Sequence, residues 1–211
     1  MNPLNRSDGF LGSEICLDDG PFFDGKPESF NFRLLGRQDM LVLIDPFSVR
    51  GEGELVPLEK GGWRILWKDV PRMGAEQPGW KGLPWAPVSA VLALRPVWIV
   101  EATPRDPHYL YGRILLRIDA ETYRGSWASK YDRAGTPVVS YQVSNGVFDS
   151  PDGGRNWIPV GGVAVQTAEN LVYKRATAVA FPPRDRRNPA DYRIPTDASD
   201  FSMDVLIRAG K

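Results

Sequence analysis

The chain has 211 residues, 42% hydrophobic and 25% charged, which is enough to bury one core and excludes wholesale disorder. Its 26 Lys and Arg balance 26 Asp and Glu, so no net field gathers nucleic acid, and nucleic acid is not an expected partner. The one cysteine, Cys16, rules out an internal disulfide, and no run of about 18 apolar residues offers a membrane-spanning helix.

In chain order, residues 1–95 read as a loop-rich part of a single domain spanning 1–211. Residues 1–36 carry three Asp-Gly turn signals, at Asp8, Asp19 and Asp24, with Phe10-Leu11 and Phe22-Phe23 as apolar plugs between them. Met40–Asp45 is a compact apolar run suited to a buried strand or short helix, and 46–62 reads as loop. A brief strand is expected over Trp63–Trp67. A Pro-, Gly- and Trp-rich connection follows from Pro71 to Pro87, and Val88–Leu94 reads as a helical turn or a lead-in to a strand.

The region 96–181 has the clearest pattern. Val97–Thr103, Tyr111–Asp119, Arg124–Tyr131 and Val138–Asn145 are strand candidates separated by short turns, and Val163–Thr167 and Val172–Phe181 continue the series. Connections this short force antiparallel neighbours, because parallel pairing needs a crossover of about a dozen residues. The expected fold is therefore mainly β, an antiparallel meander with a few short helices and long loops. Residues 182–196 read as a charged surface tail, followed by a short terminal helix over Asp200–Arg208 capped by Asp200 or Ser202.

Catalytic signatures are weak. His108, the only histidine, lies in a Pro-rich turn, and no Gly-x-Ser-x-Gly elbow accompanies it, so a surface-turn histidine is the better reading and no catalytic residue is assigned. Cys16 reads as a small buried residue. Asp18, Asp19 and Asp24 suggest calcium, but their spacing does not fit an EF-hand loop, and neither metal nor cofactor is assigned. Glu101, inside an apolar strand, is expected to pair across strands with Arg113 or Arg117. Ser150-Pro-Asp152-Gly-Gly154-Arg-Asn-Trp157 has the Ser-x-Asp-x-Gly-x-x-Trp pattern of an Asp-box hairpin turn, a structural device that carries no activity by itself. The remaining constellation is apolar. Trp98, Val100, Ile114, Leu116, Ile118, Trp127, Val139, Tyr141 and Val143, continued by Val179 and Phe181, are expected to line one sheet face, either as plain core or as the wall of an acyl-chain cavity.

Several stretches together resemble a known family. They are Arg6-Ser-Asp-Gly-Phe-Leu-Gly-Ser-Glu, Leu17-Asp-Asp-Gly-Pro-Phe-Phe-Asp-Gly-Lys, Pro96-Val-Trp-Ile-Val-Glu-Ala-Thr-Pro, Tyr111-Gly-Arg, Ile118-Asp-Ala-Glu-Thr, Lys130-Tyr-Asp-Arg-Ala-Gly and the ending from Asp200 to Gly210. The chain resembles the C-terminal part of an outer-membrane lipoprotein-sorting-like family of unknown function, itself similar in fold to the LolA and LolB lipoprotein carriers. The resemblance implies a curved, unclosed half-barrel with a hydrophobic concave face for a lipid or lipoprotein acyl chain, and it supplies no catalytic residues. It also implies the periplasm or outer membrane as location, whereas a genuine start at Met1, with no signal peptide, implies the cytoplasm. A half-barrel would expose strand edges, so an envelope-protein partner or a homodimer through those edges is expected.

Overall fold

The computed structural model describes residues 12–20, 22–44, 53–67, 72–88, 90–144, 146–149, 155–158, 165–180, 190–192 and 195–210. Its strands, in chain order, are β1 (Phe30–Ile44), β2 (Gly53–Pro57), β3 (Trp63–Trp67), β4 (Val91–Pro104), β5 (Arg113–Asp119), β6 (Gly125–Tyr131), β7 (Pro137–Val143), β8 (Gly146–Asp149), β9 (Arg155–Ile158), β10 (Val165–Asn170), β11 (Arg175–Ala180) and β12 (Ala190–Tyr192). An α-helix, α1 (Met203–Ala209), follows, with the Ser202 hydroxyl accepting from the Val205 N–H at its start (3.4 Å).

The main sheet has seven antiparallel strands in the order β1-β4-β5-β6-β7-β10-β11, an unclosed meander as expected. Its hairpins are written into the sequence by side chains that hold their own turns. At the β5–β6 turn, Asp119 Oδ1 accepts from the N–H groups of Glu121 and Thr122, both at 3.0 Å. At the β6–β7 turn, Asp132 Oδ1 accepts from Thr136 N–H at 2.8 Å. At the β10–β11 turn, Asn170 Oδ1 accepts from Val172 and Tyr173, again at 3.0 Å. Asp119 is also ion-paired with Arg95 of β4 (2.8 Å), which ties that turn to the neighbouring strand.

β1 and β4 form a long two-stranded ribbon, paired from Phe30↔Pro104 to Ile44↔Val91 with a bulge between Leu34 and Gly36. β5 covers β4 only from Val97 to Ala102, so the far half of the ribbon runs past the rest of the sheet. Val42, Ile44 and Val97 are buried together there, with Met40, Ala93 and Ile99 against them.

Several expectations need correction. β1 begins at Phe30, inside the region 1–36 that reads as turn-rich, and the Met40–Asp45 run supplies only its last residues, Met40 to Ile44. β2 lies inside the supposed loop 46–62 and pairs with β3, while β12 lies inside the supposed tail and pairs with β3 from the other side. These strands draw their stability from partners remote in sequence, which local composition does not reveal. Of the two readings left open for Val88–Leu94, the lead-in to a strand is the one found, β4 beginning at Val91. β8 and β9 form the hairpin anticipated for the Asp-box segment, with Asp149 opposite Arg155, whereas residues 150–154 lie outside the described set, as do Phe10, Leu11 and Phe181.

Candidate functional site

Strand register fixes which side chains share the inner face, because alternate residues point the same way. One row runs Ala102–Ile114–Lys130–Val139–Asn170, the next Val100–Leu116–Ala128–Tyr141–Ala168, and a third contains Trp98–Ile118 and Val143–Gln166. Eight of the nine apolar residues proposed from the sequence therefore fall on this face. Ile114, Leu116, Val139, Tyr141 and Val143 are buried in it, and Val100 and Ile118 pack at its margin.

Trp127 does not belong there. It pairs with Arg117 and Gln142 on the outer face, where its indole N–H donates to Ser140 Oγ (3.0 Å) and the Arg117 guanidinium lies 5.3 Å from its ring centre. The inward residues of β6 are Ser126, Ala128 and Lys130. Size misleads here: Trp127 and Tyr131 look like core, yet both serve as platforms for arginines, Tyr131 lying 4.1 Å from the Arg113 guanidinium. Glu101 is also on the outer face and pairs with Arg33 (2.9 Å) and Arg113 (3.8 Å), the second of which was anticipated.

A cover made from the chain's own residues 12–20 and 22–29 lies over the inner face. Ile15, Phe22 and Phe23 pack onto the cluster of Phe30, Ile114, Leu116, Tyr141 and their neighbours. Phe22 lies against Tyr141 (ring centroids 6.4 Å apart), and it comes so close to Gly125 that a Cβ there would collide with its ring. The plug role expected for Phe22-Phe23 is thus realised.

Polar anchors hold the cover. Lys130, 2% exposed, forms a buried ion pair with Asp19, and its ammonium also lies 3.6 Å from Cys16 Sγ and 4.8 Å from the Tyr111 ring centre. Asp19 Oδ2 accepts from Cys16 N–H (2.8 Å), and Tyr109 donates its hydroxyl to Asp18 (2.8 Å). Gln166 Nε2 donates to the Gly20 carbonyl at 2.9 Å. At the rim, Asn170 Nδ2 donates to Glu14 (2.8 Å), Arg175 is ion-paired with the same carboxylate, and Glu14 N–H donates to Thr177 Oγ1 (2.9 Å).

Burial pulls the Lys130 ammonium toward deprotonation, but the Asp19 carboxylate overrides this and holds its pKa above the ordinary value. Burial pushes the Cys16 thiol up to about 11, and with it Tyr111 to about 12, so neither ionises near neutrality. Of the three calcium candidates, Asp18 accepts from Tyr109 and Asp19 is paired with Lys130. Among the described residues no three His, Cys, Asp or Glu side chains are grouped to hold a metal. His108 is exposed in its turn, with its backbone N–H donated to Asp106 (2.8 Å).

A model of the family described as protein of unknown function (DUF1329) matches residues 3–206. The chain belongs to that family. Two solved structures are similar to it, each over 96% of this chain with a TM-score of 0.47. One is a domain from Vibrio parahaemolyticus named for outer membrane lipoprotein sorting, 18% identical and matched over 58% of its own length. The other is a DUF1329 family protein from Desulfovibrio piger, 13% identical and matched over 57%. The chain therefore spans less than two thirds of either. No curated protein matches it. Among the described residues, no helix is long and apolar enough to cross a membrane.

Lys130 and its partner are what sequence reasoning missed. The available signal was the spacing Ser126, Ala128, Lys130, which keeps step with the inward rows of β5 and β7 once Ile114 and Leu116 are aligned.

Proposed function

We propose that the protein is a non-catalytic, carrier-like binder of an acyl chain or amphipathic lipid in the Gram-negative cell envelope, at the periplasm or outer membrane. One observation carries the reading: among the described residues, a loop-like segment packs over the apolar inner face of the open sheet. Lifting that segment uncovers a trough of Val100, Ile114, Leu116, Tyr141 and Val143 without breaking any strand pair of the main sheet. An acyl chain in that trough gains about 0.8 kcal/mol per methylene, which suffices for reversible carriage without a catalytic group. A separate cavity of about 400 Å³, lined by Leu41, Leu43, Leu92, Pro87 and the outward-facing Trp127, lies beside the ribbon.

The test is lipid extraction of the purified protein, followed by titration with a fluorescent fatty-acyl probe. Co-purified lipid or saturable binding is expected; absence of both would sink the proposal. A second reading, a structural accessory of an outer-membrane or hydrophobic-compound export system, is favoured by exposed Leu34, Leu41, Leu92 and Leu94 on β1 and β4, with β1 at the edge of the sheet. Capture of an envelope protein, or a homodimer through that edge, without lipid would select it.

A further inference from the structure

The inner rows hold a buried charged residue that a purely apolar ligand does not explain. Lys130 stands between Ile114 and Val139 in the middle of an inner row, and its ammonium ends among Cys16, Tyr111 and Tyr141. Among the described residues, the carboxylate that balances it is Asp19, and Asp19 belongs to the cover, not to the sheet. A cover that lifts takes the counter-ion with it and leaves a cation on an apolar floor. An uncompensated buried charge is costly, so once an acyl chain covers the floor again the bound state demands an anion at that point. A neutral lipid leaves the demand unmet, and a cationic one worsens it.

We propose that Lys130 selects the ligand's head group: the protein takes anionic amphiphiles, with the carboxylate or phosphate of the ligand replacing Asp19 at Lys130 and its acyl chain replacing Phe22 and Phe23 on the trough floor. The inference rests on the acyl-binding function proposed above and deepens it. In the closed state, the Asp19 carboxylate and the Phe22 ring imitate the two halves of such a ligand. They occur in one short segment, Asp19 to Phe23, as head and tail do in one molecule. The tyrosine hydroxyls and Gln166 around the site supply hydrogen-bonding groups that a head group with several oxygens can use.

The test is competition against a neutral fluorescent probe by four amphiphiles of equal chain length: laurate, dodecyl phosphate, dodecanol and dodecyltrimethylammonium. All are used below their micelle concentrations and at a pH where laurate is ionised. The full chain is compared with Asp19→Asn and with the charge-neutral double variant Asp19→Asn/Lys130→Met, each checked for folding by circular dichroism. In the wild type at least one anionic amphiphile should bind about tenfold or more tighter than dodecanol, and Asp19→Asn should widen that ratio. In the double variant, which keeps the trough but has neither charge, the ratio should collapse toward one; this variant keeps the proposal testable should Asp19→Asn fold poorly. Laurate winning names a fatty-acid-like ligand and dodecyl phosphate winning a phospholipid-like one, and either supports the proposal. Equal binding of anionic and neutral chains to the wild type, or an anionic preference that survives in the double variant, overturns head-group selection while leaving acyl binding intact. Binding of none of the four overturns both.

Discussion

Replacing Asp19 by Asn tests the latch directly. It leaves Lys130 buried at 2% exposure with its ion-pair partner gone, and breaking one side of a buried pair costs about 3–5 kcal/mol. Lys130→Met strands Asp19 in the same way and should cost a similar amount. The double variant removes both charges, and a neutral pair of similar volume costs far less, so the coupling energy should be about 3 kcal/mol or more. With a urea slope of about 2 kcal/mol per molar, each single variant should lower the unfolding midpoint by about 1.5–2.5 M. Alkaline pH separates the variants further. In the wild type the folded pKa of Lys130 lies above its ordinary value of 10.5, so its stabilisation is full below 10.5 and is lost as pH rises through the folded value. In Asp19→Asn the carboxylate no longer offsets burial, the largest single influence, which depresses that pKa, so stability should instead rise with pH on the approach to 10.5. A coupling below about 1 kcal/mol, or alkaline limbs of the same sign, would refute the buried-pair account.

Other outcomes follow from the same geometry. The Asp119 carboxylate is raised by burial, but Arg95 and the turn N–H groups outweigh this and hold it below its ordinary value of 3.8. Its stabilisation is therefore present above 3.8 and lost as pH falls through the folded value; Arg95→Met should flatten that acid limb in urea midpoints taken between about pH 5 and pH 2. Cys16, buried and with its thiol pushed up to about 11, should resist a thiol reagent at neutral pH until the protein is unfolded, and stoichiometric labelling of native protein within minutes would contradict this. Leu116→Ala on the inner face should cost about 2–5 kcal/mol in denaturant unfolding. Leu94→Ala, 66% exposed, should stay within about 0.5 kcal/mol.

The meander was legible because its strands are short, alternate apolar and polar residues, and are joined by Asp119, Asp132 and Asn170 turns that announce themselves. β1 was not, because an edge strand paired on one side has no obligatory buried face; its middle, from Asn31 to Asp39, is almost wholly exposed and carries no period of two. On β6 the alternation was visible but its phase was not. Trp127 and Tyr131 are larger than Ser126 and Ala128, and only the register against Arg117 and Gln142 reveals that they face outward. Lys130 escaped notice for a related reason: lysine is ordinarily a surface residue, and what permits its burial is Asp19, 111 positions away. Asp18 and Asp19 looked like metal ligands because a sequence shows their charge and not the cation or hydroxyl that meets it. Phe22-Phe23 could be read as a plug because a paired aromatic between two turn signals has few other places to go.

Photo-crosslinking with a fatty acid carrying a diazirine at mid-chain tests the central claim most directly. The account predicts adducts on inner-face residues of β5 and β7, around Leu116, Tyr141 and Val143, together with release of the cover detected as faster amide exchange at residues 12–20. Adducts confined to exposed Leu92 and Leu94, or no adducts with the cover still protected, would contradict it.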